Sequence, residues 1–381
     1  MQWPEVGALF SNTFALDLRS RIENGEWQRW PSLGCFMMGK KPGAEGGPRI
    51  DICLSNITIA GDIAPNGGIG EDLVGGVVAT RENPQPGGTR TASGRECAGP
   101  YNRRGRNDMG ALTVIPRWQQ LTQFMEVLRA GRPYERRTLF ERLTNLNPKE
   151  VDGLLYNGLC SIDAPIHDWE GALADMESLG IESGARDTLL NLQLRFPCGQ
   201  DLSVEVFPMD PDDTFGRGQL GGVSGWVNWA GTTISLVVYP AAETLSTLLS
   251  TTVHEYHHHY RMAVMNNGHD RISLLETIIR EGLAEHFVAK VLGDTARGPY
   301  AEVLSQKEAH SLWTEVYRDR IFLRGEDHTS PYQFGGGTSG LPLWAGYSVG
   351  YHLVSWYREA HPGLSVLDLT RLDAGCFIPH E

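Results

Sequence analysis

The feature that most constrains this chain is a pair of histidines, His254 and His258, in the segment T-T-V-H-E-Y-H-H-H-Y-R. Apolar residues at helical spacing on both sides predict a helix over 243–266. Because residues four apart on a helix share one face, both imidazoles can reach a single ion at roughly 2.0–2.1 Å. In such an H-E-x-x-H pattern, the carboxylate of Glu255 is the general base that takes a proton from a metal-activated water.

The alternative interpretation is a solvated, histidine-rich helix face. His257 and His259 raise the local histidine density, which makes a chance match to the pattern easier. The surroundings favour a metal site, because the helix is apolar on both sides of the motif and follows a predicted strand at 232–239.

A catalytic zinc site needs a third protein ligand and an open position. The extended motif with a third histidine fails here, because Arg261 and Val264 stand at the positions of its glycine and histidine. The next predicted helix carries Glu281, and a turn over 266–268 would fold that helix back antiparallel to the first, so that Glu281 becomes level with His258. We predict Glu281 as the third ligand of a His₂Glu site.

Glu285 lies four residues after Glu281, on the same helical face. We predict that it accepts an N–H from a ligating histidine and fixes the tautomer of that histidine. The alternative for both glutamates is an ordinary amphipathic helix with solvated carboxylates. His286 and Glu276 are weaker candidates for the third ligand.

Charge and composition limit the classes of partner and the cellular compartment that we expect. The 381 residues carry a formal net charge of −13, which disfavours nucleic acid and anionic membrane surfaces as partners. We find no secretory signal and no apolar run near the roughly 18 residues of a spanning helix. The six cysteines are far apart and form no CxxC pair, which indicates reduced thiols. We therefore expect a cytoplasmic protein.

The pattern of residue types along the chain changes near residue 116. Before it, glycine-rich turns separate runs such as 49–59, which predicts a β-rich N-terminal region of unknown role over 1–116. After it, helical patterns dominate, including predicted helices over 300–322 and 343–360. We assign residues 117–381 to the catalytic domain.

Three segments together, HEYHH, EGLAEHF and GYSVGYHL, resemble a bacterial family of predicted zinc-dependent proteases, and more broadly the gluzincins. The resemblance covers about residues 200–360 and does not extend to the first 116 residues. It implies an α+β fold with a small sheet and a helical active-site bundle. It also implies a Zn²⁺ ion on His254, His258 and Glu281, with Glu255 as the base.

The resemblance further implies a hydrogen-bond donor to the oxyanion of the reaction, for which Tyr347 is the first choice and Tyr351 and His352 are alternatives. Tyr347 and Tyr351 are four apart, so simple helix packing is also open. The strand over 232–239 would either pair with extended substrate at a sheet edge or lie buried inside the sheet.

These observations predict a zinc-dependent metallopeptidase that cleaves peptide or amide bonds. An alternative is a tailoring hydrolase for a small amide or ester metabolite, and another is a non-catalytic metal-binding regulatory protein. Intact Glu255 argues against the last, because a structural metal site has no use for a base. Manganese, cobalt or iron could replace zinc at histidine and carboxylate ligands.

Overall fold

A computed structural model of the chain describes residues 37–42, 48–54, 57–62, 109–131, 135–265 and 272–379. The chain divides into two compact units, Met1–Glu96 and Cys97–Glu381. In the first unit, three strands form an antiparallel sheet in the order β1-β2-β3: Met37–Pro42, Pro48–Leu54 and Ile57–Asp62. The predicted run over 49–59 therefore falls on two strands. The rest of the predicted N-terminal region up to residue 108 lies outside the described residues.

The second unit contains a small mixed sheet of four strands in the order β4-β5-β7-β6. These strands are Leu112–Val114 (β4), Leu202–Pro208 (β5), Val223–Val227 (β6) and Thr233–Val238 (β7). Strand β4 pairs in parallel with β5, and β5 with β7, whereas β6 pairs antiparallel with β7. Strand β4 therefore belongs to the sheet of the second unit, although it precedes residue 116.

The strand over 232–239 is an interior strand, which confirms the buried alternative and contradicts the alternative that it pairs with substrate. Strand β7 is hydrogen-bonded to β5 on one side and to β6 on the other. Its main-chain N–H and C=O groups therefore already have partners within the sheet. Its residues Ile234, Leu236, Val237 and Val238 are fully buried, as its near-continuous apolar run requires. Within the described part of the chain, β6 pairs with β7 alone, so β6 forms the edge of the sheet nearest the histidine motif.

Helices connect the strands of this sheet. Between β4 and β5 lie Arg117–Arg129 (α1), Arg136–Thr144 (α2), Pro148–Tyr156 (α3), Ile166–Ser178 (α4) and Ile181–Arg195 (α5), and between β5 and β6 lies Thr214–Gln219 (α6). Local chemistry explains their starts. Asn147 and Glu150 form a reciprocal capping box in front of α3, and Pro148 occupies the first helical position. Leu121 of α1 and Val204 of β5 belong to one apolar core, which lies between these helices and the sheet.

The remaining helices build the site: Leu245–Met265 (α7), Leu274–Leu292 (α8), Gln306–Leu312 (α9), Glu326–Gln333 (α10), Ala345–Ala360 (α11) and Val366–Leu369 (α12). Helix α8 begins at Ser273, whose hydroxyl accepts the N–H of Glu276, and it ends at Gly293 with a φ of 98°. The turn predicted over 266–268, between α7 and α8, lies outside the described residues. A second apolar core joins α8 to α11.

The helix predicted over 300–322 starts later and is not α-helical throughout. A capping box of Ser305 and Glu308 starts α9 at Gln306, and the chain then widens into a π-helix over Trp313–Tyr317 and tightens into a 3₁₀ turn over Arg318–Arg320. The second unit is thus an α+β structure, mostly helical, with one small mixed sheet. Among the described helices, none is long and apolar enough to cross a membrane.

Candidate metal centre

Three donor atoms from two helices converge on one point. His254 Nε2 lies 3.2 Å and His258 Nε2 3.3 Å from Oε2 of Glu281. Tetrahedral ligands at roughly 2.05 Å from a zinc ion are about 3.3 Å from each other. The observed spacing is compatible with ligands sharing one ion as well as with direct hydrogen bonds to the carboxylate, and the three residues fit zinc.

Glu255 lies beside the two histidines. The donor atoms of His254, Glu255 and His258 all lie within 4.8 Å of one another, and the three side chains are buried. Oε2 of Glu255 is buried without a hydrogen-bond partner among the described residues. Buried polar atoms without partners mark places where an ion or an ordered water belongs.

The histidine-rich run is not a solvated face. His254, His257, His258 and His259 are between 0% and 7% exposed. His257 Nε2 lies 3.1 Å from the hydroxyl of Thr370, and His259 Nδ1 lies 2.6 Å from the carbonyl oxygen of Gly231. Two of the four histidines therefore fasten α7 to its neighbours, and the other two face the metal centre.

Glu281 and Glu285 are likewise buried, so the interpretation of α8 as an amphipathic helix with solvated carboxylates is wrong. Oε1 of Glu285 lies 2.7 Å from Nδ1 of His254, and its Oε2 accepts the main-chain N–H of Gly298 at 2.7 Å. With Nδ1 engaged in this way, Nε2 of His254 is the nitrogen that faces Glu281 and the metal position.

Burial shifts the pKa values of the site residues. It raises the pKa of Glu255 to about 7, although His254 opposes the shift. It also lowers the pKa of His258 to about 4, although Glu281 opposes that shift. His258 therefore offers a ring lone pair at pH 7, and Glu255 is near the pKa that suits a general base. Burial opposes protonation of His254, but hydrogen bonds to Glu281 and Glu285 hold the pKa of His254 well above 6.5, so a metal at this point would displace a proton from that ring.

Glycines let the two motif-bearing helices α8 and α11 cross at backbone contact. A Cβ on Gly350 would lie 1.8 Å from the carbonyl oxygen of Ile278, and a Cβ on Gly282 would lie 2.3 Å from that of Gly350. This close crossing gives a physical reason for the glycine of the E-G-L-A-E segment and for the second glycine of the G-Y-S-V-G-Y segment. It brings Tyr347 of α11 to the face of α8 that carries Glu281.

Of the three oxyanion-donor candidates, Tyr347 is the one that faces the site. Its hydroxyl lies 3.5 Å from Nε2 of Gln333, and burial raises its pKa well above 10, so it stays protonated. Tyr351 instead stacks on His286 with ring centroids 4.6 Å apart. His352 points away as well, with Nε2 2.9 Å from the carbonyl oxygen of Leu304.

The two weaker ligand candidates also lie elsewhere. His286 Nε2 is 3.1 Å from the hydroxyl of Ser355, and Glu276 accepts the Nε–H of Arg261 at 2.9 Å. Arg261 is 2% exposed, so this ion pair is a buried connection between α7 and α8. Neither candidate contributes an atom to the centre.

Three residues that sequence reasoning missed surround the site. Tyr300 packs against His254, with ring centroids 5.9 Å apart, and against Tyr347, at 5.0 Å. Gln333 Nε2 and Arg280 Nη2 lie 3.3 Å and 3.6 Å from Oε1 of Glu281. Arg280 adjoins Glu281 in the sequence and could have been considered, whereas no sequence signal marked Tyr300 or Gln333.

Two relatives, both described as uncharacterized proteins of Bacillus subtilis (strain 168), resemble this chain. YjfC is 28% identical over 168 residues, 42% of this chain and 52% of YjfC, so the chain spans about half the length of that relative. YjaZ is 27% identical over 182 residues, 46% of this chain and 68% of YjaZ. No solved structure matches the chain.

The model of one protein family matches residues 186–379, about half of the chain. This stretch includes α7, α8 and α11, which carry the residues of the metal centre. The family is described as predicted Zn-dependent protease (DUF2268), and this chain belongs to it.

Proposed function

We propose that this chain is a zinc-dependent metallopeptidase of the gluzincin type, with His254, His258 and Glu281 as metal ligands and Glu255 as general base. The observation that carries the proposal is the spacing of 3.2 Å and 3.3 Å between the two histidine nitrogens and one oxygen of Glu281. The family description supports the hydrolase class. The third ligand on the helix that follows the motif helix supports the gluzincin type.

The edge strand β6 supports a peptide as substrate. At Gly225, strand β6 approaches α7 so closely that a Cβ would lie 2.7 Å from Cγ2 of Thr251 and 3.0 Å from Cγ of Glu255. The main chain of β6 therefore passes directly beside the general base. An extended peptide that pairs with this edge would have its main chain next to Glu255.

The chain's own residues perform the proton transfers of the proposed reaction. A zinc ion at this site supplies Lewis-acid chemistry, which polarises a carbonyl and lowers the pKa of a water. Glu255 takes one proton from the attacking water as the C–O bond forms, and it delivers that proton to the leaving nitrogen when the C–N bond then breaks. Tyr347 donates a hydrogen bond to the carbonyl oxygen as negative charge develops there.

The test compares wild type with Glu255→Gln on an unstructured protein substrate, with new amino groups and zinc content both measured. We expect wild type to lose hydrolysis with a chelator and regain it with zinc. Glu255→Gln should keep its zinc and lose about 10²–10⁴-fold in rate, because the proton acceptor is gone. Full hydrolysis by a zinc-loaded Glu255→Gln variant would contradict the proposed mechanism.

A further inference from the structure

The two oxygens of the Glu281 carboxylate have different surroundings. Oε2 faces the two histidine nitrogens, at 3.2 Å from His254 and 3.3 Å from His258. Oε1 faces away from them and accepts a hydrogen bond from the Gln333 amide at 3.3 Å. The guanidinium of Arg280 lies 3.6 Å from the same Oε1. One oxygen is therefore turned toward the metal position, and the other is held by donors of the protein.

The Gln333 amide also reaches Tyr347. Its Nε2 lies 3.5 Å from the Tyr347 hydroxyl, in addition to its contact with Glu281. A carboxamide nitrogen carries two N–H donors, so one side chain can serve both oxygens at once. Gln333 thus lies between the third metal ligand and the hydroxyl proposed to stabilise the oxyanion.

The backbone that carries Gln333 is itself held in place. Gln333 is the last residue of α10, and a Cβ on Gly346 of α11 would lie 2.6 Å from the Cα of Gln333. The hydroxyl of Tyr317 donates to the carbonyl oxygen of Tyr332 at 2.7 Å, and the N–H of Trp344 donates to that of Phe334. Contacts on both sides of Gln333 therefore fix the position of its Cα, from which the side chain extends.

We propose that Gln333 is a positioning residue, which holds Glu281 so that a single carboxylate oxygen binds the metal and which orients the Tyr347 hydroxyl. The proposal rests on the proposed function. A carboxylate that is free to turn can offer both oxygens to one ion and fill a position that a catalytic site must leave open. A hydrogen bond to Oε1 opposes this turn, since Oε1 would have to give up its donor.

The test uses Gln333→Met, which keeps the side-chain length and removes the N–H donors, and Gln333→Asn, which keeps the donors but is too short to reach. The probes are Zn²⁺ for affinity and Co²⁺ for its visible absorption, which reports the coordination number. We expect both variants to bind zinc about 10–100-fold more weakly and to show a changed Co²⁺ spectrum. kcat should fall more than KM changes, because Tyr347 acts on the developing oxyanion.

Gln306→Met is the matched control, because Gln306 is exposed at the start of α9. It should keep the wild-type zinc affinity and Co²⁺ spectrum. Thermal unfolding of chelator-treated proteins checks the fold, and if Gln333→Met fails to fold, Gln333→Asn carries the comparison. A wild-type spectrum and affinity in a folded Gln333 variant would overturn the inference alone. A wild type that binds neither ion would overturn the proposed function instead.

Discussion

Glu285 is held from two sides, since its Oε1 lies 2.7 Å from Nδ1 of His254 and its Oε2 accepts the N–H of Gly298 at 2.7 Å. The loop after α8 therefore fixes the carboxylate, and the carboxylate fixes the ring of a proposed metal ligand. We therefore expect Glu285 to affect metal affinity even though it contributes no ligand atom to the proposed site.

Replacing Glu285 with glutamine should weaken zinc binding about 10–100-fold, because an amide cannot accept hydrogen bonds from both His254 and Gly298 with full strength. A competition titration with a chromogenic chelator measures the affinity. Glu315→Gln, on an exposed position, is the control and should bind zinc as wild type does. Equal affinities for the two variants would mean that Glu285 does not orient His254.

Gly350→Ala should destabilise the protein by about 3 kcal/mol, because the new methyl group would collide with the carbonyl oxygen of Ile278 at 1.8 Å. Urea unfolding measures the change. Gly171→Ala is the matched control: Gly171 is also inside a helix, α4, but a Cβ there meets no atom within 4 Å. The control should gain up to about 1 kcal/mol from helix propensity. A Gly350 variant as stable as its control would refute the close crossing of α8 and α11.

The buried ion pair between Arg117 and Glu205 should be sensitive to the loss of one partner. Glu205 accepts from Nε of Arg117 at 2.8 Å and from the hydroxyl of Ser235, and it thereby ties α1 to the sheet. Arg117→Met should cost about 3–5 kcal/mol, because it leaves a buried carboxylate without its cation. Arg129→Met removes the partner of Glu170 at an exposed site and should cost at most about 1 kcal/mol. Similar losses in both variants would contradict this difference.

His286 should make the protein less stable in acid. Burial lowers the pKa of His286 from 6.5 to about 4. Between pH 6.5 and pH 4, His286 is therefore protonated in the unfolded chain and neutral in the folded chain. Its stabilising contribution is complete above pH 6.5 and is lost as the pH falls toward 4. Urea unfolding of chelator-treated protein at several pH values measures the slope. His286→Gln should lose about 3 kcal/mol less than wild type over this range, and parallel curves would contradict the shift.

The helices that carry the ligands could be predicted because their signals are local. The apolar periodicity of α7 depends on a few neighbouring residues, and the structure contains this helix at Leu245–Met265. The antiparallel arrangement that brings Glu281 level with His258 followed from helix geometry. The ligand assignment itself stays a prediction until metal binding is measured.

The parts that sequence reasoning missed depend on contacts between distant segments. Gln333 lies 52 residues after Glu281, at the end of a short helix that contains Pro331 and whose sequence reads as a loop. Strand β6 contains Gly225. Glycine has a low strand propensity, but it allows β6 to approach α7 closely at this position. In both cases the reason for the residue is a neighbour that only the fold supplies.

The most direct test of the central claim is the zinc content of purified wild type beside Glu281→Ala and Glu285→Ala, measured by elemental analysis after dialysis. The geometry predicts one zinc ion per chain in wild type, its loss in Glu281→Ala, and a smaller reduction in Glu285→Ala, because Glu281 faces both histidine nitrogens while Glu285 contacts the far side of His254. A wild type without zinc, or a Glu281→Ala variant that keeps a full zinc ion, would contradict the account.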